Sequence, residues 1–271
     1  MAVTGSTLNK VRRALRVEEW RLLNVETPED AAMNLAIDEA IFIAMMKKVA
    51  PPTVRFWRNA RAVVVGYSQK VEAEINLALC EKENIQIVRR FTGGGTVYQD
   101  LGNLNYTIVV DASHRLIRGL DIAESYKVLC SGMVEGLRDV GIAAAFRPLS
   151  DICVGDKKIS GSAQSRKKGI ALHHGTVLVN SDLDMLVNVL DISRKDREGK
   201  KATSIRKPVT RLKDELSLDI DMATVKKALA RGFERAFSIT LTQGKLKLSE
   251  EETTQNLYRD KYSRREWNFW R

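Results

Sequence analysis

The chain has 271 residues, and 44 Lys and Arg against 34 Asp and Glu give it a formal charge of +10. Hydrophobic residues make up 44 % of it, which is enough for a buried core, and no apolar run approaches the ~20 residues that span a bilayer. A disordered chain and a membrane-spanning chain are therefore both excluded.

Residues 1–25 are predicted to be a basic leader, which contains Lys10, Arg12, Arg13 and Arg16. They lack the continuous apolar stretch of a secretory signal. After the leader, short apolar runs alternate with amphipathic stretches up to the middle of the chain. This part predicts a helix at 31–47, strands at 53–57 and 62–66, a helix at 72–83, and strands at 85–91 and 105–110.

The second half of the chain contains more hairpin signals than strand–helix–strand units. It predicts a helix at 122–140, a hairpin at 152–160 that turns at Gly155-Asp156, and a second hairpin with its tip at 166–169 and a return strand at 176–179. Two helices follow at 182–190 and 222–237, with a mobile charged loop at 193–207 between them. The chain then continues with a predicted hairpin at 239–248 around Gly244 and a last helix from Glu250. We therefore predict the α+β class, with a mixed, largely antiparallel sheet flanked by helices. One domain would span residues 26–248, and a C-terminal helix and aromatic tail would occupy 249–271.

The densest motif begins with Arg89 and Arg90 and continues through three consecutive glycines, Gly93, Gly94 and Gly95. Glycine lacks a Cβ, so the backbone N–H groups of such a turn can approach an anion closely, and the two arginines add fixed positive charge. The pattern is neither a Walker A loop nor a GxGxxG fingerprint. A flexible turn without a ligand is the alternative, but the arginines and the downstream Asp-Leu-Gly-Asn favour an anion-binding site.

A second motif contains the adjacent lysines Lys157 and Lys158. Side chains alternate along a strand, so only one of the two can enter a site. The residues after Lys158 include Ser160 and Gly161, whose small side chains leave room for a ligand. A lone lysine on a strand is otherwise a solvated edge charge, so spacing alone leaves both interpretations open.

A metal site is disfavoured at His173 and His174, because no cysteine partner or acidic cluster accompanies them. The cysteines Cys80, Cys130 and Cys153 are widely spaced and form no CxxC pair, which favours a reducing compartment such as the cytoplasm. The positive charges are scattered and no nucleic-acid-binding motif is present. We therefore expect an acidic protein or a phosphorylated ligand as partner, and neither nucleic acid nor membrane.

Together these segments resemble the lipoate–protein ligases. The matching stretches are RRFTGGGTVYQDLGNLNY, DICVGDKKISGSAQ and HHGTVLVNSDLDML, with NLAIDEA, VVGYSQ and TSIR in the family's order. The chain is similar to the catalytic, N-terminal domain of the lipoate–protein ligase A family, in the split type that lacks the C-terminal accessory domain. The resemblance implies the α+β catalytic fold of the biotin/lipoate ligase superfamily, which is class II aminoacyl-tRNA synthetase-like.

The resemblance also implies the reaction. Lipoate would attack the α-phosphate of ATP, with Mg²⁺, to give lipoyl-adenylate and pyrophosphate, and the lipoyl group would then pass to a lysine of a lipoyl-carrier protein. Lys158 would be the catalytic residue between the two anions, Asp151 would help to hold the metal, and Arg90 would neutralise phosphate oxygens. The implied nucleotide site comprises Arg90, Thr92, Gly93, Gly94, Gly95, Thr96, Val97, Tyr98, Gln99, Asp151 and Lys158.

An apolar slot is implied for the lipoyl tail, with His174 shaping it and not acting as a base. Its implied lining is Trp57, Val64, Val65, Gly66, Tyr67, Gly94, Gly161, Ala163 and His174. Ordinary core packing is the alternative for Trp57. Gln99 stands where the family commonly has a histidine, which leaves the role of that side chain open.

A transferase of the same fold is the main alternative, and it would move a lipoyl or octanoyl group from acyl-carrier protein through a cysteine thioester. The segments 191–193 and 146–150, where the family's transferases suggest a nucleophile, contain no cysteine, which favours the ligase. Biotin ligation is less favoured because its Gly-Arg-Gly-Arg loop is absent. A non-catalytic lipoyl-domain-binding protein is disfavoured by the presence of Lys158, Asp151 and Arg90.

The implied acceptor is the glycine-cleavage H protein or a lipoyl domain of a 2-oxoacid dehydrogenase, whose acidic surface would suit a chain of charge +10. The stretch after residue 237 is too short for a second hydrophobic core, so we expect a separate accessory subunit. Trp267, Phe269 and Trp270 would either pack on the catalytic domain or form a docking patch.

Overall fold

The computed structural model describes residues 17–190 and 208–271, so residues 1–16 of the predicted leader and the predicted loop at 193–207, with its TSIR motif, lie outside it. The strands are β1 (Glu18–Leu23), β2 (Thr53–Trp57), β3 (Arg61–Val65), β4 (Gln86–Arg89), β5 (Val97–Asp100), β6 (Asn103–Asp111), β7 (Ala145–Arg147), β8 (Asp151–Val154), β9 (Lys157–Lys167), β10 (Ile170–Leu178) and β11 (Ile239–Gln243). The helices are α1 (Ala31–Met46), α2 (Val71–Glu74), α3 (Leu77–Lys82), α4 (Ile122–Asp139), α5 (Leu183–Val189), α6 (Leu212–Leu216), α7 (Met222–Phe237), α8 (Leu248–Leu257) and α9 (Arg265–Asn268), with a π-helical turn at Tyr258–Tyr262.

The strands form two sheets. The larger has eight strands in the order β11-β1-β2-β6-β10-β9-β8-β7, and the smaller has three in the order β4-β3-β5. The pairs β1–β11, β1–β2 and β3–β4 are parallel and the others are antiparallel. The predicted α+β class with a mixed, largely antiparallel sheet is confirmed. No helix in the two described ranges is long and apolar enough to cross a membrane.

The large sheet buries both of its faces. On one face, α4 and α7 enclose a core in which Phe233 packs against Tyr106 with a ring-centroid distance of 5.9 Å. On the other face lies α1, where Leu35 packs in one cluster with Trp57 of the large sheet and Val64 of the small sheet. The two sheets therefore face each other across a space that α1 borders.

Local sequence determines two of the elements that position this space. α1 begins at Asp30, whose carboxylate accepts a hydrogen bond from the N–H of Met33 at 2.9 Å. The β8–β9 hairpin turns at Gly155 and Asp156, where Gly155 adopts a φ of +56°, a value that glycine tolerates without strain. Both the helix and the hairpin lie where the sequence predicts them.

Two predictions at the ends of the domain are wrong. Residues 18–23, which the sequence assigns to the leader, form β1 inside the large sheet, and residues 239–248 form no hairpin. Instead, β11 pairs with β1 in parallel, and Gly244 N–H donates to Leu22 O at 2.9 Å. The local sequence does not predict this pairing, because the charge of Arg21 in β1 is neutralised only by Glu250, which lies 229 residues later and 2.6 Å away. The helix predicted at 72–83 is also divided into α2 and α3.

Candidate functional site

A cavity of about 460 Å³ lies between the two sheets, on the side of the large sheet that α1 covers. The predicted site residues on its wall are Trp57, Arg90, Gly94, Gly95, Thr96, Val97, Tyr98, Gln99, Asp151, Lys158, Gly161, Ala163 and His174. The remaining predicted site residues, Val65, Gly66, Tyr67, Thr92 and Gly93, do not line it. The structure thus brings three distant sequence motifs to one cavity.

Three residues predicted for the lipoyl slot lie elsewhere. Side chains alternate along β3, so Val64 faces the cavity while Val65 is buried in the core beneath the small sheet. Gly66 lies against the glycine turn, where a Cβ would come within 1.9 Å of Gly94 O. Tyr67 is 42 % exposed and packs on the aromatic C-terminal tail. These three predicted slot residues therefore do not line this cavity, whereas Val64 does.

Lys158 presents an ammonium group to the cavity, with Nζ 2.7 Å from Asp151 Oδ1. A register shift between β8 and β9 lies beside it, and such bulges redirect side chains. Gly161 gives the lysine room, because a Cβ at Gly161 would lie 2.7 Å from Lys158 Nζ. Lys157 has a side chain that is 59 % exposed and lies 3.6 Å from Glu215 Oε1. The predicted alternation of the two lysines is observed.

Sequence reasoning missed the apolar wall beyond Lys158, which is formed by Leu178, Leu186, Leu190 and Val209. The spacing of Leu186 and Leu190, one helical turn apart, shows that both face the same side, but it does not show which surface they meet. Val209 is placed by its neighbours: Lys158 N–H donates to the carbonyl of residue 208 at 2.7 Å, and the N–H of residue 210 donates to Lys158 O at 2.9 Å. The backbone of the lysine is thus held by chain far away in sequence.

The guanidinium of Arg90 is buried and donates to oxygens of its own turn and of β3. Nη2 donates to Gly93 O and Gly95 O, both at 2.7 Å, Nη1 donates to Val64 O at 3.0 Å, and Nε donates to Thr92 Oγ1 at 3.1 Å. Burial lowers the pKa of Arg90 to about 10, so it remains a cation at neutral pH. Direct contact between Arg90 and phosphate stays a prediction, because these donors hold the glycine turn in this structure.

Behind His174 lies a buried network of hydrogen-bonded side chains that the sequence did not reveal. His174 Nδ1 is 3.2 Å from Asp38 Oδ2, and His174 Nε2 is 2.7 Å from Thr92 Oγ1. Asp38 also accepts from Arg55 Nη1 at 2.6 Å and from Thr107 Oγ1 at 2.8 Å. Burial alone would raise the pKa of Asp38, but Arg55 and the hydrogen bonds lower it below its ordinary value, so Asp38 is a carboxylate. The NLAIDEA stretch contains Asp38, but nothing local connects it to His174.

The cavity also presents polar groups that have no partner within the described structure. The hydroxyls of Thr96 and Thr176 are buried without a hydrogen-bond partner, and both residues line the cavity. Beside them, the side-chain amides of Gln99 and Asn105 form a reciprocal pair, at 2.8 and 3.2 Å. A buried hydroxyl without a partner destabilises the empty protein, so this wall suits a ligand that carries polar atoms.

All three cysteines of the chain lie in the described ranges, and none lines the cavity. Cys80, Cys130 and Cys153 are buried. Burial raises the pKa of Cys80 and of Cys130 to about 11, which disfavours the thiolate form. The cavity wall therefore carries an amine and a carboxylate but no thiol among the described residues.

Among the described residues, no group of three or more His, Cys, Asp and Glu side chains is arranged to hold a metal ion. Asp151 supplies the only carboxylate on the described part of the cavity wall. Mg²⁺ prefers oxygen ligands and is commonly held by one or two carboxylates together with substrate phosphates. The donor set fits a magnesium ion that arrives with a nucleotide, and Asp151 would be its protein ligand.

The C-terminal tail packs on the domain through Arg89, a second buried cation. Arg89 Nη1 donates to Gly66 O at 2.9 Å, and Nε donates to Asn268 O at 3.2 Å. Trp267 Nε1 donates in return to Arg89 O at 2.8 Å. Of the two alternatives for the tail, packing on the domain is therefore observed, with Trp270 left 42 % exposed at the surface.

Comparison with known proteins places these features in a family context. Residues 30–234 match the family model described as lipoyl protein ligase A/B catalytic domain. Lipoate-protein ligase A subunit 1 of Thermoplasma acidophilum is 36 % identical over 260 residues, covering 92 % of this chain and 96 % of that protein. Octanoyltransferase LipM of Halalkalibacterium halodurans is 33 % identical over 280 residues, covering 93 % of this chain and 99 % of that protein.

Two solved structures are similar over nearly the whole chain. A bi-partite lipoate protein ligase from Thermoplasma acidophilum, described with its E2 lipoyl domain, has 36 % identity and a TM-score of 0.81, covering 93 % of this chain and 96 % of that chain. A lipoate-protein ligase A bound with ATP has 35 % identity and a TM-score of 0.80, covering 93 % and 98 %. The similar proteins thus include both ligases and octanoyltransferases.

Proposed function

The chain belongs to the lipoyl protein ligase A/B catalytic-domain family, and we propose that within this family it is an ATP-dependent lipoate–protein ligase. It would activate lipoate as lipoyl-adenylate and transfer the lipoyl group to a lysine of a lipoyl-carrier protein. One observation carries this proposal. Lys158 Nζ lies on the wall of a cavity that combines a glycine turn with apolar side chains and has no thiol among its described lining residues.

The chemistry explains why an ammonium group belongs at this place. In the first step, a carboxylate oxygen of lipoate attacks the α-phosphorus of ATP, and the bond to the bridging oxygen breaks so that pyrophosphate leaves. Both reactants are anions, so a fixed cation between them lowers the cost of their approach and stabilises the charge of the transition state. Lys158 has this role, and its 2.7 Å contact with Asp151 Oδ1 orients it. In the second step, the acceptor amine attacks the acyl carbon and AMP leaves.

Each substrate has a matching part of the cavity wall. Leu35, Trp57 and Val64 form an apolar surface suited to the lipoyl chain, and the indole of Trp57 is fixed because Nε1 donates to Thr107 Oγ1 at 3.0 Å. The glycine turn and the hydroxyl of Thr96 lie on the side that we assign to ATP. The similar structure with bound ATP supports this substrate. Mg²⁺ would neutralise phosphate charge, held by the nucleotide and Asp151.

Octanoyl transfer is the second candidate, because LipM proteins are among the relatives. A transferase that works through a cysteine thioester needs a reactive thiolate that an acyl donor can reach. The three thiols of this chain are buried away from the cavity, and those of Cys80 and Cys130 have pKa values raised to about 11 by burial. They are poor nucleophiles for this purpose, so the ligase is favoured.

For the acceptor, we propose an acidic lipoyl-carrier protein in the cytoplasm, either a glycine-cleavage H protein or a 2-oxoacid dehydrogenase lipoyl domain. The related bi-partite ligase is described with an E2 lipoyl domain, and the charge of +10 on this chain would attract an acidic partner. The chain has three widely spaced cysteines and no CxxC pair, which favours a reducing compartment.

Mass spectrometry of a lipoyl domain distinguishes the two candidates. The chain, with any candidate second subunit, is incubated with lipoyl domain, lipoate, ATP and Mg²⁺, and in parallel with octanoyl-acyl-carrier protein without ATP. We expect pyrophosphate release and lipoylation only with ATP, unchanged when Cys80, Cys130 and Cys153 are replaced singly by Ser. ATP-independent octanoyl transfer, or an acyl thioester trapped on any of the three, would make the chain a transferase.

A further inference from the structure

A continuous line of hydrogen bonds runs from the core of the large sheet to the glycine turn. It passes from Asp38 to His174 (3.2 Å), from His174 to Thr92 (2.7 Å) and from Thr92 to Arg90 (3.1 Å). All four residues are at most 7 % exposed. Thr92 itself does not line the cavity, so its hydroxyl is enclosed among protein groups.

The donors along this line have one consistent direction. Asp38 is a carboxylate and can only accept, so the proton of the His174 ring lies on Nδ1 and points at Asp38. In the Nδ1–H tautomer, Nε2 accepts, and the Thr92 hydroxyl donates to it. The guanidinium of Arg90 can only donate, so Thr92 Oγ1 accepts from its Nε. In this tautomer, the position of Thr92 requires a group that accepts from Arg90 and donates to His174.

Arg90 transmits this order to the turn. Its Nη2 donates at 2.7 Å both to Gly93 O and to Gly95 O. A trans peptide is planar, with C=O and the next N–H in opposite directions, so the N–H groups of Gly94 and Thr96 point away from the guanidinium. Gly94 and Thr96 both line the cavity, and backbone N–H groups arranged in this way are anion donors.

We propose that Thr92 is a positioning residue for nucleotide binding: it joins the histidine of the acyl pocket to Arg90 and thereby fixes the glycine turn. Arg90 acts through the turn and not by touching phosphate. This inference rests on the proposed function, since it names the part of the machinery that orders the nucleotide side. Losing the Thr92 hydroxyl should therefore weaken binding of the nucleotide and leave binding of lipoate nearly unchanged.

Thr92→Val and Thr92→Ser form the matched test, because both replacements are close to threonine in size and only serine keeps the hydroxyl. Calorimetry measures the Kd of the magnesium complex of a non-hydrolysable ATP analogue and, separately, the Kd of lipoate. We expect Thr92→Val to weaken nucleotide binding about tenfold and lipoate binding less than about threefold, and Thr92→Ser to recover nucleotide binding to within about threefold. The inference would be overturned if Thr92→Val weakened the binding of both ligands equally. It would also be overturned if this variant bound the nucleotide as tightly as the wild type does.

NMR of the ligand-free protein separates this inference from the proposed function. The chain has three histidines, so ring ¹⁵N signals are few, and His174 should show the Nδ1–H tautomer. Thr92→Val, or Thr92→Ala if the valine variant does not fold, should shift the Nε2 signal and the amide signals of Gly94 and Thr96, while Thr92→Ser should not. Unshifted amides would refute the link. If the wild-type protein binds no nucleotide but Thr92→Val still causes these shifts, only the proposed function is refuted.

Discussion

Arg89 and Arg90 are neighbours in the sequence, but the structure gives them different tasks. Both are buried and both donate to backbone carbonyls, Arg89 to Gly66 O and the tail and Arg90 to the glycine turn. Lys158 differs from both, because its side chain is 28 % exposed and lies at the cavity. A buried guanidinium with several donors is suited to organising backbone, whereas the single ammonium on a flexible chain is suited to meeting a substrate.

Lys158→Ala should abolish adenylate formation while the protein remains folded. Removing a fixed cation from the reacting centre costs about a hundredfold or more in rate. Lys157→Ala is the matched control, since that side chain faces away from the cavity and pairs with Glu215 at 3.6 Å. The rate of adenylate formation by Lys157→Ala should stay within about threefold of the wild-type rate, because exposed ion pairs contribute little. Pyrophosphate release measures both rates, with melting curves as the check on folding; equal losses would show that the two faces are assigned wrongly.

His173 should make the protein less stable in acid. Burial, with a smaller contribution from His174, lowers its pKa from 6.5 to about 3. Below pH 6.5 the unfolded chain therefore takes up a proton that the folded protein does not. The contribution of His173 to the free energy of unfolding is complete above pH 6.5 and is lost as the pH falls toward 3. From pH 7 to pH 5 this amounts to about 2 kcal/mol. Urea unfolding at pH 7 and pH 5 measures the loss in the free energy of unfolding for the wild type and for His173→Gln. The loss should be smaller in the variant by this amount. An identical loss in both proteins would assign the acid sensitivity to other groups.

At the scale of elements, the tail that comes after α8 packs against the strand that leads into the glycine turn. Trp267 donates to Arg89 O at 2.8 Å, and Arg89 in turn holds Gly66 O, next to Gly94. The ammonium of Lys261, from the π-helical turn, lies 4.2 Å from the ring centroid of Trp267. Elements at the end of the chain thus support a turn in its first half.

Trp267→Ala should destabilise the protein by about 2–3 kcal/mol, because it removes a large packed side chain and the hydrogen bond to Arg89 O. Trp270→Ala removes the same side chain from a position that is 42 % exposed, and it should cost about 0.5 kcal/mol. Urea unfolding of the two variants gives the comparison. If both cost little, the tail does not brace the domain in solution, and its aromatic residues are available to a partner.

At the scale of the whole molecule, the family relationship raises the question of a second polypeptide. One relative is named as subunit 1 of a lipoate-protein ligase A, and its match covers 96 % of that protein. A similar structure is described as that of a bi-partite lipoate protein ligase and its E2 lipoyl domain. We therefore propose that this chain works with a separate accessory subunit.

The purified chain alone should form little lipoyl-adenylate, and a small protein encoded beside it should stimulate adenylate formation, transfer or both. The reason is that one relative is named as subunit 1 of a lipoate-protein ligase A, and a similar structure is described as a bi-partite ligase. Pyrophosphate release and mass spectrometry of a lipoyl domain monitor the two half-reactions. Robust activity of the chain alone, with no stimulation, would contradict the prediction.

Local sequence was sufficient for the elements whose form depends on neighbouring residues. The turn at Gly155-Asp156 and the opposite faces of Lys157 and Lys158 result from glycine's backbone freedom and the two-residue period of a strand. The mixed sheet and the three motifs that meet at the cavity were likewise predicted, the motifs with the help of the family resemblance.

Tertiary structure alone decided which groups meet across long stretches of chain. The parallel pairing of β1 with β11 and the contact of His174 with Asp38, 136 residues away, depend on packing that no local pattern encodes. The direction of β3, and so the choice of Val64 over Val65 at the cavity, was set by the small sheet. The sequence showed that Arg90 is a cation next to a glycine turn. Only burial, which removes water as a partner and leaves backbone carbonyls as acceptors, determined that it holds the turn.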